Sequence, residues 1–295
     1  MMSPKMLPRI LVPVEFSPRC HGAAQYGEAL ARHFHGEVIL LHVVIPPFAQ
    51  FGSLEAMAFS NAESMIEELM AQRTGALDAF PGRQAEDVAF RRVLLEGDPA
   101  QAIADYASAE NVTMIVMPTH GYGPFRRFLL GSVTAKVLHD AHCPVWTGPH
   151  MEKAPDYSEI RFRQILCAVD LGLQSRQVIC WGATFAKEEG AQLTVVHAIP
   201  PSASRMGGFY FDPDWRIELT RQAKERIEFL MSDMQIDGKV RIEQGEVAEA
   251  VDRVAEEIHA DAVVVGRGRA GGMLGRLPTH AYAIIRGAPC PVVAI

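Results

Sequence analysis

One stretch of this chain places together residues able to bind an anion through the backbone: Met117-Pro118-Thr119-His120-Gly121-Tyr122-Gly123, then Gly131-Ser132-Val133-Thr134. It follows an apolar run and opens a segment with helical spacing. Gly131 lets the backbone pass close to a ligand, and Ser132 is placed to cap the helix. The first N–H groups of a helix lack intrahelical partners and sit at the positive end of its dipole, so a phosphate fits there. Gly121 and Gly123 permit left-handed turns that aim further N–H groups inward. Arg126-Arg127 in the same loop either steer a phosphate or are simply solvated.

The elements that must hold this loop occur twice. Ile10-Leu-Val-Pro-Val-Glu15 matches Ile165-Leu-Cys-Ala-Val-Asp170, and Leu40–Val43 matches Val195–Ala198, both at an offset of 155. Glu96-Gly97-Asp98 matches Gln244-Gly245-Glu246 at 148, and Cys143-Pro144-Val145 matches Cys290-Pro291-Val292 at 147. The second copy is therefore seven residues shorter ahead of Gly245 and one shorter in a later loop. A whole domain is duplicated, not a short solenoid unit.

Each copy alternates buried-type strands with amphipathic helices. In the first, strands are expected over 10–14, 38–44, 89–95, 114–117 and 144–147. Ser17-Pro18 reads as an N-cap and first helical position, and Gly36 as the glycine that ends that helix. Met65, Ile66, Leu69 and Leu77 line one face of the next helix, Asp98-Pro99 opens another, and a helix is expected over 132–139. Strand–helix alternation implies right-handed crossovers and a parallel sheet covered on both faces, with ligands beyond the carboxyl ends of the strands. The polar run Gly148–Tyr157, with two prolines, separates a domain over 1–150 from one over 158–295.

On these residues the sequence resembles the universal stress protein family, whose ATP-binding members carry Gly-x2-Gly-x9-Gly-Ser/Thr after strand four. Positions 118, 121, 131 and 132 fall on that spacing as Pro118, Gly121, Gly131 and Ser132. The resemblance runs through both halves. It implies an α/β fold of two tandem doubly wound, five-stranded parallel-sheet domains, Rossmann-like and of the adenine nucleotide alpha hydrolase-like kind. It also implies ATP or a related adenine nucleotide as ligand. Gly121, Gly131, Ser132, Val133 and Thr134 would surround the phosphates, and Pro13, Glu15, Val43 and Met117 would lie near adenine and ribose. Mg²⁺ or Mn²⁺ would arrive on the phosphates, not in a protein cage. The resemblance further implies stress sensing or regulation of an unknown protein partner, and an intramolecular pseudo-dimer of domains paired near Val145 and Val292. A homodimer of whole chains is a further possibility.

Two departures bear on copy one. Pro118 replaces the first glycine, adding a ring and removing an N–H, and Glu15 stands where an Asp is usual. Copy two departs further. Asp170 is the expected acid, but the loop Gly266-Arg267-Gly268 is one residue short, and Gly-Ser has become Pro278-Thr279. Asp170, Gly266, Gly268 and Thr279 therefore mark a degenerate second site.

Other signals narrow the class. With 28 basic against 35 acidic residues and a net charge of −7, neither nucleic acid nor an anionic membrane is an expected partner. No apolar run approaches the ~18–20 residues of a membrane span, and the N-terminus does not read as a signal peptide. Five cysteines without a CxxC pair fit a reducing cytoplasm. His139-Asp-Ala-His142-Cys143 fits a helix end better than a metal site, and the matched His42 and His197 read as structural. Phe48, Phe51, Met57 and Phe59, with Phe209, Tyr210, Phe211 and Trp215 in copy two, form apolar stretches that cover a cleft, meet a partner or pack between domains. No Walker A motif or nucleophile arrangement is present, so no catalytic residue is assigned. A nucleotide-free interaction protein and a slow ATP hydrolase are the alternative readings.

Overall fold

A computed structural model describes residues 8–46, 62–80, 87–120, 130–149, 151, 154–200, 213–268 and 279–295. The chain divides into two compact units, Met1–Val145 with Met151–Ile160, and Trp146–His150 with Arg161–Ile295.

The first copy runs β1 (Arg9–Pro13), α1 (Pro18–His33), β2 (Glu37–Val44), α2 (Ala62–Ala79), β3 (Ala89–Glu96), α3 (Pro99–Ala109), β4 (Met114–Val116), α4 (Ser132–Asp140) and β5 (Val145–Thr147). The second runs β6 (Gln164–Ala168), α5 (Ser175–Glu189), β7 (Gln192–Ile199), α6 (Pro213–Asp233), β8 (Lys239–Gln244), α7 (Val247–Glu257), β9 (Ala262–Val265), α8 (Thr279–Gly287) and β10 (Val292–Ala294). In the first unit the strands lie β3-β2-β1-β4, and Ile115 N–H donates to Pro144 O just ahead of β5. In the second they lie β8-β7-β6-β9-β10. The paired strands with a resolved register are parallel.

This order follows from the hydrophobic pattern. Central strands β1 and β9 are apolar on both faces: Leu11, Val12, Val263 and Val264 are fully buried. Each such side chain contributes about 1.5–3 kcal/mol relative to exposure. The edge strands β3 and β8 are only half-buried and carry arginines. In each unit the order reverses beside the first strand, between β1 and β4 and between β6 and β9, and there the crevice beyond the strand ends opens. Right-handed crossovers put α1 and α2 on one face of the first sheet and α3 and α4, which pack on each other, on the opposite face.

The main chains of the two copies match in detail. Left-handed backbone occurs at Phe16 and Leu171 (φ 66° and 60°), His35 and Gly190 (52° and 66°), Gly97 and Gly245 (140° and 131°), and Asn111 and His259 (52° and 53°). Each pair falls on the offsets of the repeat, yet only one pair keeps the same residue type.

Several local expectations are corrected. Gly36 does not end α1 through a left-handed turn. His35 takes that conformation, and Gly36 follows it, its N–H donating to Ala31 O at 2.7 Å. A Cβ on Gly36 would lie 2.3 Å from Pro8 O, so close approach is what its position requires. Ser17 occupies the N-cap of α1 without capping it; its hydroxyl lies 3.5 Å from Cys20 Sγ. Ser132 is the first helical residue of α4 and Gly131 its N-cap. Asp98 does cap α3, accepting from Gln101 N–H at 2.9 Å. Met65 is exposed; the buried end of α2 is at Leu77, followed by the buried Phe80 just beyond the helix.

The polar segment Met151–Ile160 packs on the first unit. Met151 is buried, a Cβ on Gly22 of α1 would overlap its carbonyl, and Tyr157 N–H donates to Gln25 Oε1 at 2.7 Å. Of the cysteines, Cys20, Cys167 and Cys290 are buried, Cys143 is half-buried and Cys180 is exposed; all are free. Among the described residues no helix is long and apolar enough to cross a membrane.

Candidate functional site

In the first unit a cavity of about 480 Å³ opens at the switch point. Its wall brings together nine residues singled out from the sequence: Pro13 and Glu15 beyond β1, Val43 on β2, Met117 and Pro118 beyond β4, and Gly131, Ser132, Val133 and Thr134 at the start of α4. Gly121, Gly123 and Arg126-Arg127 lie outside the described residues, as do Phe48, Phe51, Met57, Phe59, Phe209, Tyr210 and Phe211. Trp215 is half-exposed on α6.

The start of α4 is tied to the strand end by two hydrogen bonds. Gly131 N–H donates to Thr119 O at 2.8 Å, and the buried Thr134 hydroxyl donates to Pro118 O at 3.0 Å. Gly131 therefore uses its own amide internally. Ser132, Val133 and Thr134 hold the next three positions, where an α-helix provides no carbonyl for the amide. Gly131 has φ −62°, which any residue adopts; a Cβ there would lie 3.4 Å from His120 Cα and Thr119 O.

Strand β1 leads into Glu15, whose backbone N–H donates to Cys20 Sγ at 3.3 Å, while its exposed side chain lines the cavity. The left-handed Phe16 follows. Its ring meets His42 at 4.4 Å between centroids and lies 6.0 Å from the guanidinium carbon of Arg73. Left-handed backbone at a bulky residue costs of order 1–3 kcal/mol and is held by its surroundings. Here those surroundings are the cavity wall.

His42 Nδ1 donates to Val14 O at 2.7 Å; since a carbonyl only accepts, Nδ1 carries the proton. His197 makes the same bond to Val169 O at 2.8 Å, so the matched histidines brace matched strand ends. Burial lowers the His42 pKa, and the nearby Arg73 charge lowers it further, against the Val14 bond and Glu15, which raise it. Its ring is neutral at pH 7. Burial also raises the pKa of the Cys20 thiol, which shares this cavity.

The second unit has a smaller cavity of about 280 Å³ at the matching place, lined by Asp170, Gly266 and Gly268. Thr279 opens α8 directly after Pro278. The loop donors here are used within the protein. Gly268, left-handed at φ 59°, donates its N–H to Gln174 Oε1 at 2.5 Å, and Arg267 N–H donates to Ile295 O at 2.9 Å. Asp170 Oδ1 accepts from Gly172 N–H at 2.8 Å and from the Ser175 hydroxyl at 3.2 Å. Ser175 is the counterpart of Cys20, so the acid that is open in copy one is engaged by its own turn in copy two.

The model of the universal stress protein family matches residues 6–147 and again residues 161–295. The chain belongs to that family. It is a universal stress protein with two tandem domains. A universal stress protein of Methanocaldococcus jannaschii is 31% identical over 140 residues, spanning 46% of this chain and 79% of that protein. One from Methanothermobacter thermautotrophicus is 33% identical over 150 residues, spanning 48% of this chain and 94% of its own. In the solved universal stress protein of Archaeoglobus fulgidus the whole fold recurs, with a TM-score of 0.64 at 21% identity over 97% of both chains.

Arg73 is the charged lining residue of this universal stress protein's first cavity that the sequence reading missed; Cys20 and His120 also line it and were not assigned to it. Arg73 lies four residues from both Leu69 and Leu77, on the apolar face of α2. A charge interrupting an apolar stripe was the available signal. Two weighed features stay outside the cavity: His139 Nδ1 pairs with Asp140 Oδ1 in the last turn of α4, and among the described residues no three His, Cys, Asp or Glu side chains cluster to hold a metal.

Proposed function

We propose that this universal stress protein is a stress-response regulator that binds ATP or a related adenine nucleotide in its first domain, and that its second domain carries a degenerate site. The observation that carries this reading is the contrast between the two cavities. In the first, the opening turn of α4 faces about 480 Å³ of space beside the exposed Glu15, whose carboxylate has no hydrogen bond among the described residues. That volume falls within the ~300–1,000 Å³ range of small-molecule sites. In the second, Gln174 and Ile295 take the amides of the glycine loop, and about 280 Å³ is left.

In this reading the amides of Ser132, Val133 and Thr134 hold the phosphates, and the Thr134–Pro118 bond fixes their direction. Pro13, Val43 and Met117 form the apolar walls for the base, and Glu15 accepts from the ribose hydroxyls. Gly121 belongs to the same phosphate group by the family pattern. Mg²⁺ or Mn²⁺ fits only as a companion of the phosphates, since Glu15 is the one carboxylate among the described lining residues. Binding to one state of the protein would shift its engagement with a protein partner.

Calorimetry on the whole chain with ATP and Mg²⁺ tests the reading. One site per chain is expected. Ser132→Pro is the informative variant: proline is tolerated at the first helical position, Gly131 (φ −62°, ψ 147°) already has the conformation that precedes a proline, and one candidate donor is removed. The variant should fold normally and bind ATP about tenfold more weakly, the value of one good hydrogen bond to a charged group. No heat and no thermal shift at millimolar ATP would leave the nucleotide-free interaction protein, a reading favoured by the Pro118 ring in the cavity wall and by the internal use of the Gly131 amide.

A further inference from the structure

The buried faces of α2 and α6 align when Leu77 is set against Met231, both nearly inaccessible. That alignment places Arg73 opposite Ile227, which is fully buried. At that offset of 154 the second domain carries a branched apolar side chain, and no residue of α6 is among the described lining of its cavity, whereas Arg73 of α2 lines the first.

Among the described residues Arg73 forms no salt bridge. Its described interactions are the face of Phe16 and the field it exerts on His42. Glu15 is the one carboxylate and Arg73 the one arginine or lysine among the described lining residues of the first cavity, which also include His42 and His120. In the second cavity the described lining has Asp170 as its one carboxylate, His197 and His280 as its imidazoles, and no arginine or lysine. A phosphate-bearing ligand entering the second cavity meets a carboxylate and no arginine or lysine; in the first it meets a guanidinium as well. A half-buried cation next to low-dielectric walls attracts an anion far more strongly than one in open water. Crossover geometry puts α2 and α4 on opposite faces of the sheet, so Arg73 and the α4 amides approach the crevice from its two sides.

We propose that Arg73 is a ligand-contacting, specificity-determining residue of the first cavity, pairing with an anionic phosphate group of the ligand and making the site select for ligand charge. The proposal rests on the nucleotide reading only for the identity of that ligand. Phe16 acts as its platform: the left-handed turn after β1 presents the ring on which the guanidinium lies.

The test compares the full chain with Arg73→Ile, which installs the second domain's own residue, and with Arg73→Lys, which restores charge without the fork. Affinities are measured for ATP with Mg²⁺, for adenosine and for inorganic tripolyphosphate, with melting temperature as the check on folding. Arg73→Ile is expected to weaken ATP and tripolyphosphate at least tenfold and adenosine less than twofold, with Arg73→Lys recovering part of the loss. Equal losses for ATP and adenosine, or no loss for either anion, overturn the proposal. Wild-type protein that binds tripolyphosphate but not ATP overturns the nucleotide reading alone, and Arg73 is then judged on tripolyphosphate. Wild-type protein that binds neither overturns both.

Discussion

Gln174 Oε1 accepts the N–H of Gly268 at 2.5 Å, so a side chain of the second domain occupies a donor of its own glycine loop. The same amide group presses on Gly266, where a Cβ would lie 2.9 Å from that oxygen. The described part of the loop, Gly266 to Gly268, is thus engaged by a side chain of its own domain.

That contact is measurable by a double-mutant cycle. Gly266→Ala should destabilise the protein by about 1–3 kcal/mol through overpacking, and Gln174→Ala by about 1 kcal/mol through the lost hydrogen bond. Combined, the two should cost clearly less than their sum, because truncating Gln174 removes the atom the new methyl meets. Additive losses in urea titrations would show that the contact does not exist in solution.

Pro118 tests the first cavity. Its ring lines the wall, and its carbonyl, which any residue retains, holds Thr134. Pro118→Gly should raise ATP affinity several-fold by removing the ring. Unchanged affinity in calorimetry would mean that the ring does not crowd the ligand.

Asp252 on α7 gives a pH signature. Burial, then the charges of Glu256 and Glu249, raises its pKa from 3.8 to about 6, and its carboxylate lies against Gly287 at the end of α8. A carboxyl raised in the folded state opposes folding once ionised. The penalty is absent below the unfolded value, grows between about pH 4 and 6, and is complete above the folded value. Asp252→Asn should therefore raise the melting temperature above pH 6 and give no gain below pH 4. A gain independent of pH would contradict the assignment.

His35 is an exposed residue held at φ 52°, and its counterpart in the second domain is Gly190. His35→Gly should stabilise the protein by about 0.5–1 kcal/mol, since glycine reaches that conformation without the steric cost. A loss of stability in chemical denaturation would show that the His35 side chain contributes contacts that outweigh the strain.

The fold was legible because its signals are local and doubled. Buried strands such as Ile10–Val12 and Ala262–Val265 read as continuous apolar runs, and the repeat fixed their order twice. Nine residues of the first cavity were legible because strand ends and a helix start must converge at a switch point. Features set by tertiary contact were not. Gly36 reads as a helix stop, but its requirement comes from Pro8, distant in sequence. Ser17 has the composition of a cap, yet its hydroxyl turns to Cys20. The role of Gln174 depends on a loop 94 residues away. Arg73 was not singled out, because its place in the cavity wall depends on how α2 packs and on the turn that presents Phe16.

The four matched left-handed positions separate two histories within one chain. Phe16 and Leu171, His35 and Gly190, and Asn111 and His259 keep the same bend of the backbone while exchanging aromatic for aliphatic, imidazole for hydrogen and amide for imidazole. The path of the polypeptide behaves as inherited scaffolding, and the side chains as fittings replaced one at a time. At these bends the second domain therefore already has the backbone of the first, and exchanging side chains between matched positions there leaves the path of the chain unchanged.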